Sequence, residues 1–147
     1  MIIFKTISSF RARIKELLKV RRNVYGGVIS EIKRELGESS IEQIRQNRDM
    51  ILMESDMIVI KLRLPDKKQK LSKKDGYRLI YLVSKTENVV VFLDIYPKNG
   101  PLQQLDIDND TIKSLIMDFV VEGNNNLLED FLMACKRPIF RLDVDLI

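Results

Sequence analysis

The 147-residue chain has no histidine, no tryptophan and a single cysteine, Cys135. One cysteine excludes an intramolecular disulfide, and without histidine the donors of an ordinary structural or catalytic zinc site are missing. No metal and no cofactor is expected. Acid–base chemistry, if the protein performs any, must run on lysine, arginine, tyrosine or carboxylate side chains. A run of about 18 apolar residues, as a membrane span requires, is also lacking. The opening MIIFKTISSFRAR reaches its charges too soon for a signal peptide. A cytoplasmic protein with no membrane partner is expected. Internal repeats, low-complexity segments and a clear second-domain boundary are absent too, and 45% hydrophobic residues over this length suit one domain with a real core.

The net charge of +4 conceals an asymmetry. Residues 1–100 hold 21 Lys/Arg against 12 Asp/Glu, whereas residues 101–147 hold 4 against 9. A basic body suits a polyanion such as RNA, because each phosphate contact releases counterions and adds salt-sensitive affinity. The bland reading, for any single charge, is solvated surface.

Residues 57–98 organise the rest. Met57 to Leu64, Tyr77 to Val83 and Val89 to Tyr96 are rich in Val, Ile, Leu and Tyr and are bounded by Pro65, Asp75-Gly76 and the stretch Ser84 to Asn88. They read as three strands, the last two forming a hairpin. If Val83 faces Val89, alternation puts Tyr77, Leu79, Tyr81, Val89, Val91, Leu93 and Ile95 on a core face. Arg78, Ile80, Leu82, Val90, Phe92 and Asp94 then take the other, with a half-exposed Arg78 opposite Asp94 and close to Tyr96 and Lys98. If Leu64 pairs with Tyr77, Arg63 sits beside Arg78 and Lys61 lies one pleat further along. Cations side by side are unfavourable unless something anionic binds them.

These residues carry a resemblance. Ile60-Lys61-Leu62-Arg63, Gly76-Tyr77-Arg78-Leu79-Ile80-Tyr81, Val89-Val90-Val91-Phe92 and Tyr96-Pro97-Lys98 resemble the successive strands of the RelE/ParE superfamily of bacterial toxins, in its RelE and HigB branches. The loop between the first two strands is longer here. The resemblance implies an α+β fold: a small, mostly antiparallel, RelE-like sheet with N-terminal helices packed on one face. Residues 1–123 would form the toxin domain, and residues 124–147, which the resemblance does not cover, a C-terminal helical and strand extension packed on the same domain or in a dimer.

Around this centre, Met1 to Thr6 reads as a strand joining the sheet. Ser8 or Ser9 caps a basic helix with Phe10, Ile14, Leu17 and Leu18 on one face. Gly26-Gly27 interrupts it, and Val28, Ile29, Ile32 and Leu36 resume helical spacing until Gly37. Ser39 with Glu42 forms a capping box for a short helix ending near Asn47 to Asp49. The loop from Pro65 to Gly76 carries Lys67, Lys68, Lys70, Lys73 and Lys74 and is expected to be mobile and exposed, as an RNA-backbone arm or a solvated tip. Beyond Lys98, Asp108 to Asp110 offers an N-cap for a helix through Ile112, Leu115, Ile116, Phe119 and Val120 that ends at Gly123. Leu127, Leu128, Phe131 and Leu132 suggest another short helix, and the alternation from Phe140 to Leu146 a terminal strand. Apolar groups in such number are too costly to leave in water.

Resemblance to RelE-type toxins implies metal-independent cleavage of mRNA in the ribosomal A site by internal attack of the 2′-hydroxyl. The catalytic set would be Lys61, Arg63, Arg78, Tyr96 and Lys98. Carried over by position, Lys61 and Arg63 hold or polarise phosphate, Arg78 stabilises transition-state charge, and Lys98 contacts the backbone or acts as acid. The loop lysines would bind RNA. Implied partners are a cognate antitoxin, the ribosome and mRNA, with a homodimer open. The departures are Val59, where RelE has a second lysine, and Pro101 and Leu105, near which its arginine and tyrosine fall. HigB-type relatives vary there as well and keep a Tyr-x-Lys. Two other readings stand beside the nuclease: a ParE-like toxin of the same fold with a protein target, and a non-toxic RNA- or protein-binding domain. For each cation the structural alternative is an edge-strand charge that blocks aggregation; for Tyr77 and Tyr81, core packing is favoured.

Overall fold

A computed structural model describes residues 1–47, 49–54 and 56–133. The fold is α+β, and the described residues form a six-stranded, mostly antiparallel open sheet and four helices. In chain order the elements are β1 (Ile3–Thr6), α1 (Ser8–Leu18), α2 (Val28–Leu36), α3 (Ile41–Arg45), β2 (Met50–Glu54), β3 (Met57–Leu64), β4 (Tyr77–Ser84), β5 (Val89–Pro97), α4 (Asn109–Asn124) and β6 (Glu129–Asp130). The strand order is β2-β3-β4-β5-β1-β6, and β1 runs parallel to β5. No described helix is long and apolar enough to cross a membrane.

The central strands fall where alternation and β-branched content place them. β3 and β4 pair with Leu64 opposite Tyr77 and Arg63 opposite Arg78, as the sequence predicts. The β4–β5 hairpin departs from its expected register. Val83 faces Val90, not Val89, and the ladder shifts between Ile80 and Tyr81, so Tyr81 pairs with Phe92 and Ile80 with Asp94, leaving Leu93 as the extra residue of a bulge. The consequence is large. Arg78 faces Tyr96 and not Asp94, while Val90 and Phe92 join the face of Tyr77, Leu79 and Tyr81.

Both faces of the central strands are covered, which is why all eight residues of β4 are buried. On the Tyr77–Tyr81 face, the Tyr81 hydroxyl donates to the Ile44 carbonyl of α3 at 2.7 Å, and Tyr25 meets Tyr77 edge-on. Phe10 of α1 lies 5.3 Å from Phe92 between ring centroids. Both tyrosines are fully buried, as core packing predicts. Against the other face, Ile116, Phe119 and Val120 of α4 enclose a small apolar cavity with Leu52, Met57, Val59 and Leu82. Each large side chain fully removed from water, as Leu79 and Phe92 are, contributes about 1.5–3 kcal/mol.

Several local expectations are corrected. The capping box lies one residue later: the Ser40 hydroxyl accepts from the Gln43 amide, and the Gln43 side chain accepts from the Ser40 amide. β2 is an element the sequence does not predict; it pairs with β3 at the sheet's edge. Leu18 is 44% exposed, outside the buried face of α1. In place of a helix around Leu127 to Leu132, Glu129–Asp130 pairs with β1, and the Phe131 amide donates to the Phe4 carbonyl at 2.8 Å. Tertiary pairing overrides the helical spacing there. The expected strand from Phe140 to Leu146 lies outside the described residues.

The lysine loop is also built, not a loose tip. Residues Lys67–Gln69 form a 3₁₀ turn; Asp66, buried, accepts from the Gln69 amide and side chain, and exchanges two backbone hydrogen bonds with Leu71. Buried Glu31 of α2 accepts from the Lys67 amide at 2.6 Å. Gly76 closes the loop because a Cβ there would lie 2.2 Å from the Leu64 carbonyl oxygen, too close for any side chain.

Candidate anion-binding cleft

Where α4 stops covering the sheet, the second face of β3, β4 and β5 turns polar. Alternation along three strands brings Lys61, Arg63, Arg78 and Tyr96 to that end, and Lys98 follows β5 directly. All five line one open cleft of about 460 Å³, together with Asp49, Met50, Ile51, Leu105 and Asp106. A second cleft of about 640 Å³ adjoins it across Asp49, Lys61 and Arg63, and reaches Glu35, Asn47, Lys73 and Lys74. The remaining loop lysines, Lys67, Lys68 and Lys70, are exposed but line neither cleft.

The cations are engaged. Lys61 pairs with Asp106 at 3.0 Å, Arg63 with Asp49 at 3.6 Å and Lys73 with Glu35 at 3.0 Å. The Lys98 ammonium donates to the Leu105 carbonyl. Arg78 departs most from expectation. It is 7% exposed, not half-exposed, and its guanidinium donates to the carbonyls of Lys73 at 3.0 Å, Tyr77 at 3.2 Å and Lys74 at 2.8 Å. Its charge lies in the wall of the cleft while its donors tie down the end of the lysine loop. Burial, then the neighbouring Arg63, lowers its pKa below the usual arginine value. An arginine remains charged at neutral pH even so.

Tyr96 is almost wholly buried, and its hydroxyl donates to Asp106 Oδ1 over a long 3.4 Å. Burial first, then the Asp106 charge, pushes its pKa well above the ordinary tyrosine value. At neutral pH it is a proton donor, not a base. Asp106 moves the other way: hydrogen bonds from Lys61 and from the Ile107 amide hold its carboxyl below the usual range. Asp94, which the bulge takes away from Arg78, instead forms a two-pronged pair with Arg13 of α1 at 3.2 Å on each prong. Burial raises its pKa, and Arg13 partly offsets that.

Sequence reasoning found the four cations and the tyrosine but missed Asp49, Asp106 and Glu35. These arrive from a loop, a loop and a helix, and no spacing relates them to the strands. Chemically, the cleft presents positive charge, a protonated phenol and two carboxylates. Such a surface can hold a phosphodiester, screen developing negative charge and donate a proton to a leaving oxygen.

Comparison with protein-family models, with curated proteins and with solved structures finds no match.

Proposed function

We propose that the chain is the toxin of a bacterial type II toxin–antitoxin system, a RelE/HigB-like, ribosome-dependent mRNA endoribonuclease that needs no metal and inhibits translation in the cytoplasm. The observation that carries this reading is the convergence of Lys61, Arg63, Arg78, Tyr96 and Lys98 on one cleft. In this reading Lys61 and Arg63 hold the scissile phosphate, Arg78 adds positive charge from the wall, solvent water takes the proton of the attacking 2′-hydroxyl, and Tyr96 or Lys98 protonates the leaving 5′-oxygen. The sheet is RelE-like, the N-terminal helices on its Tyr81 face belong to the toxin domain, and Lys73 and Lys74 carry RNA along the adjoining cleft. A cognate antitoxin, the ribosome and mRNA are the partners. Induced expression, followed by primer extension on cellular mRNA, tests it. Growth arrest with new stops inside translated codons is expected. Arrest without such stops, or no arrest, overturns the nuclease reading.

One observation favours a second reading, a ParE-like toxin with a protein target or a non-toxic binding domain. Lys61, Arg63, Arg78 and Lys98 each already hold an acceptor of this chain. Growth arrest without mRNA cleavage on ribosomes would favour the protein-target toxin, and RNA binding with neither arrest nor cleavage the non-toxic binding domain.

A further inference from the structure

The segment after β5 folds back over the cleft it follows. The Gln104 amide donates to the Pro97 carbonyl at 2.9 Å, and the Gln104 side chain to the Asp106 carbonyl at 3.0 Å. Lys98 holds the Leu105 carbonyl. This sets Asp106 at the mouth, where a single oxygen, Oδ1, accepts from Lys61 Nζ at 3.0 Å, from the Ile107 amide at 2.8 Å and from the Tyr96 hydroxyl at 3.4 Å. An anionic oxygen bridging an ammonium and a phenol is what a phosphate oxygen would do between the same two groups. The Ile107 amide aims the carboxylate, so its position follows from backbone and not from chance rotamer choice. The Asp106 side chain is 68% exposed, so it can leave at little cost.

We propose that Asp106 is an internal competitor for the anion seat formed by Lys61 and Tyr96: its carboxylate holds the seat in the free protein and must swing out when a nucleic-acid phosphate enters. This rests on the reading of the cleft as a phosphate-binding site, and deepens it by assigning a built-in restraint. The restraint sets a threshold: a lone phosphate in solution displaces Asp106 poorly, whereas a strand held by several further contacts displaces it readily. Leu105, 79% exposed on the same segment, would move with it.

The test uses the full chain and a short 2′-O-methylated RNA strand, which binds without being cut. Asp106→Asn is expected to bind it about fivefold more tightly than wild type, the gain set by one exposed ion pair. Glu87→Gln makes the same charge change in the exposed turn at the opposite end of the β4–β5 hairpin. It should change affinity by much less. Adding Lys61→Ala to Asp106→Asn should erase the gain, since the seat itself is then gone. Equal gains for Glu87→Gln and Asp106→Asn would reduce the effect to net charge and overturn the proposal, as would weaker binding by Asp106→Asn. The outcomes separate from those for the nuclease: tighter binding by Asp106→Asn in a protein that never cleaves mRNA supports the restraint and sinks the nuclease, whereas cleavage by wild type with unchanged Asp106→Asn binding does the reverse.

Discussion

Glu122, near the end of α4, caps the beginning of α1: its carboxylate accepts from the Ser8 amide at 2.8 Å and from the Ser8 hydroxyl at 2.6 Å. The N-cap position of α1 is Ile7, whose side chain cannot accept a hydrogen bond, so the cap comes from 114 residues away. An anion at that place also meets the positive end of the helix dipole. Glu122 is 8% exposed while Ser8 is exposed, so the contact is sheltered from one side.

Glu122→Ala is therefore expected to destabilise the fold by about 1–2 kcal/mol, the cost of the lost cap together with the charge-assisted hydrogen bond from the Ser8 hydroxyl. Glu122→Gln keeps an acceptor and should lose less. Urea unfolding of both variants checks the ranking. Wild-type stability in Glu122→Ala would show that α4 and α1 are not coupled through this cap.

All four tyrosines have pKa values raised by burial: Tyr25, Tyr77, Tyr81 and Tyr96. In the unfolded chain a tyrosine titrates near 10. Above that pH the native state keeps protons that the unfolded state releases, so stability falls as pH rises. Tyrosinate absorbance should therefore stay low past pH 10 in the native protein and rise together with loss of the circular dichroism signal. A tyrosine titrating near 10 with the fold intact would contradict the burial.

What the sequence makes legible is what repeats. β3, β4 and β5 show as apolar runs with period-2 alternation, and the Arg63–Arg78 pairing follows from one plausible register. The bulge at Leu93 does not show, because one extra buried leucine in an apolar strand looks like any other; yet it moves Asp94 from Arg78 to Arg13. In Ser39-Ser40-Ile41-Glu42-Gln43 two overlapping capping boxes are equally good on paper, and packing of Ile41 and Ile44 selects the second. β2 is hidden because Met50 to Met53 has the composition of a helix as much as of a strand, and β6 because it exists only through β1. Asp49 and Asp106 are hidden for a different reason. Their role depends on where two loops end in space.

The loop lysines divide by position. Lys73 and Lys74 line the second cleft, whereas Lys67, Lys68 and Lys70 point elsewhere on the surface. Single-strand binding loses about 0.7 in the logarithmic salt slope for each phosphate contact removed. Replacing Lys73 and Lys74 by Gln should therefore flatten the slope for RNA binding more than replacing Lys67, Lys68 and Lys70. Affinity measured across a salt series decides this, and an unchanged slope in both variants would make the loop a bystander.

Arg78 gives the last prediction, because its two roles make opposite demands on the fold. If it were only an exposed cation, Arg78→Ala would remove activity and leave stability alone. Instead its guanidinium satisfies the Lys73 and Lys74 carbonyls from a buried position opposite Arg63, so removal leaves acceptors unpaired and frees the loop end that Gly76 closes. Offsetting this, the substitution relieves repulsion with Arg63 and the desolvation that lowers the Arg78 pKa. Two lost hydrogen bonds from a charged donor at about 1.5–3 kcal/mol each outweigh an exposed like-charge contact of roughly 1 kcal/mol or less, so a net loss is expected. Arg78→Lys retains the charge but a single ammonium does not match the fork that reaches both carbonyls, and it should fall between. Thermal or urea unfolding gives the stability order, wild type above Arg78→Lys above Arg78→Ala, and RNA affinity measured on the folded fraction gives the second. If Arg78→Ala unfolds like wild type, the anchoring role is wrong; if Arg78→Lys restores RNA binding while remaining less stable, charge serves the ligand and geometry serves the loop.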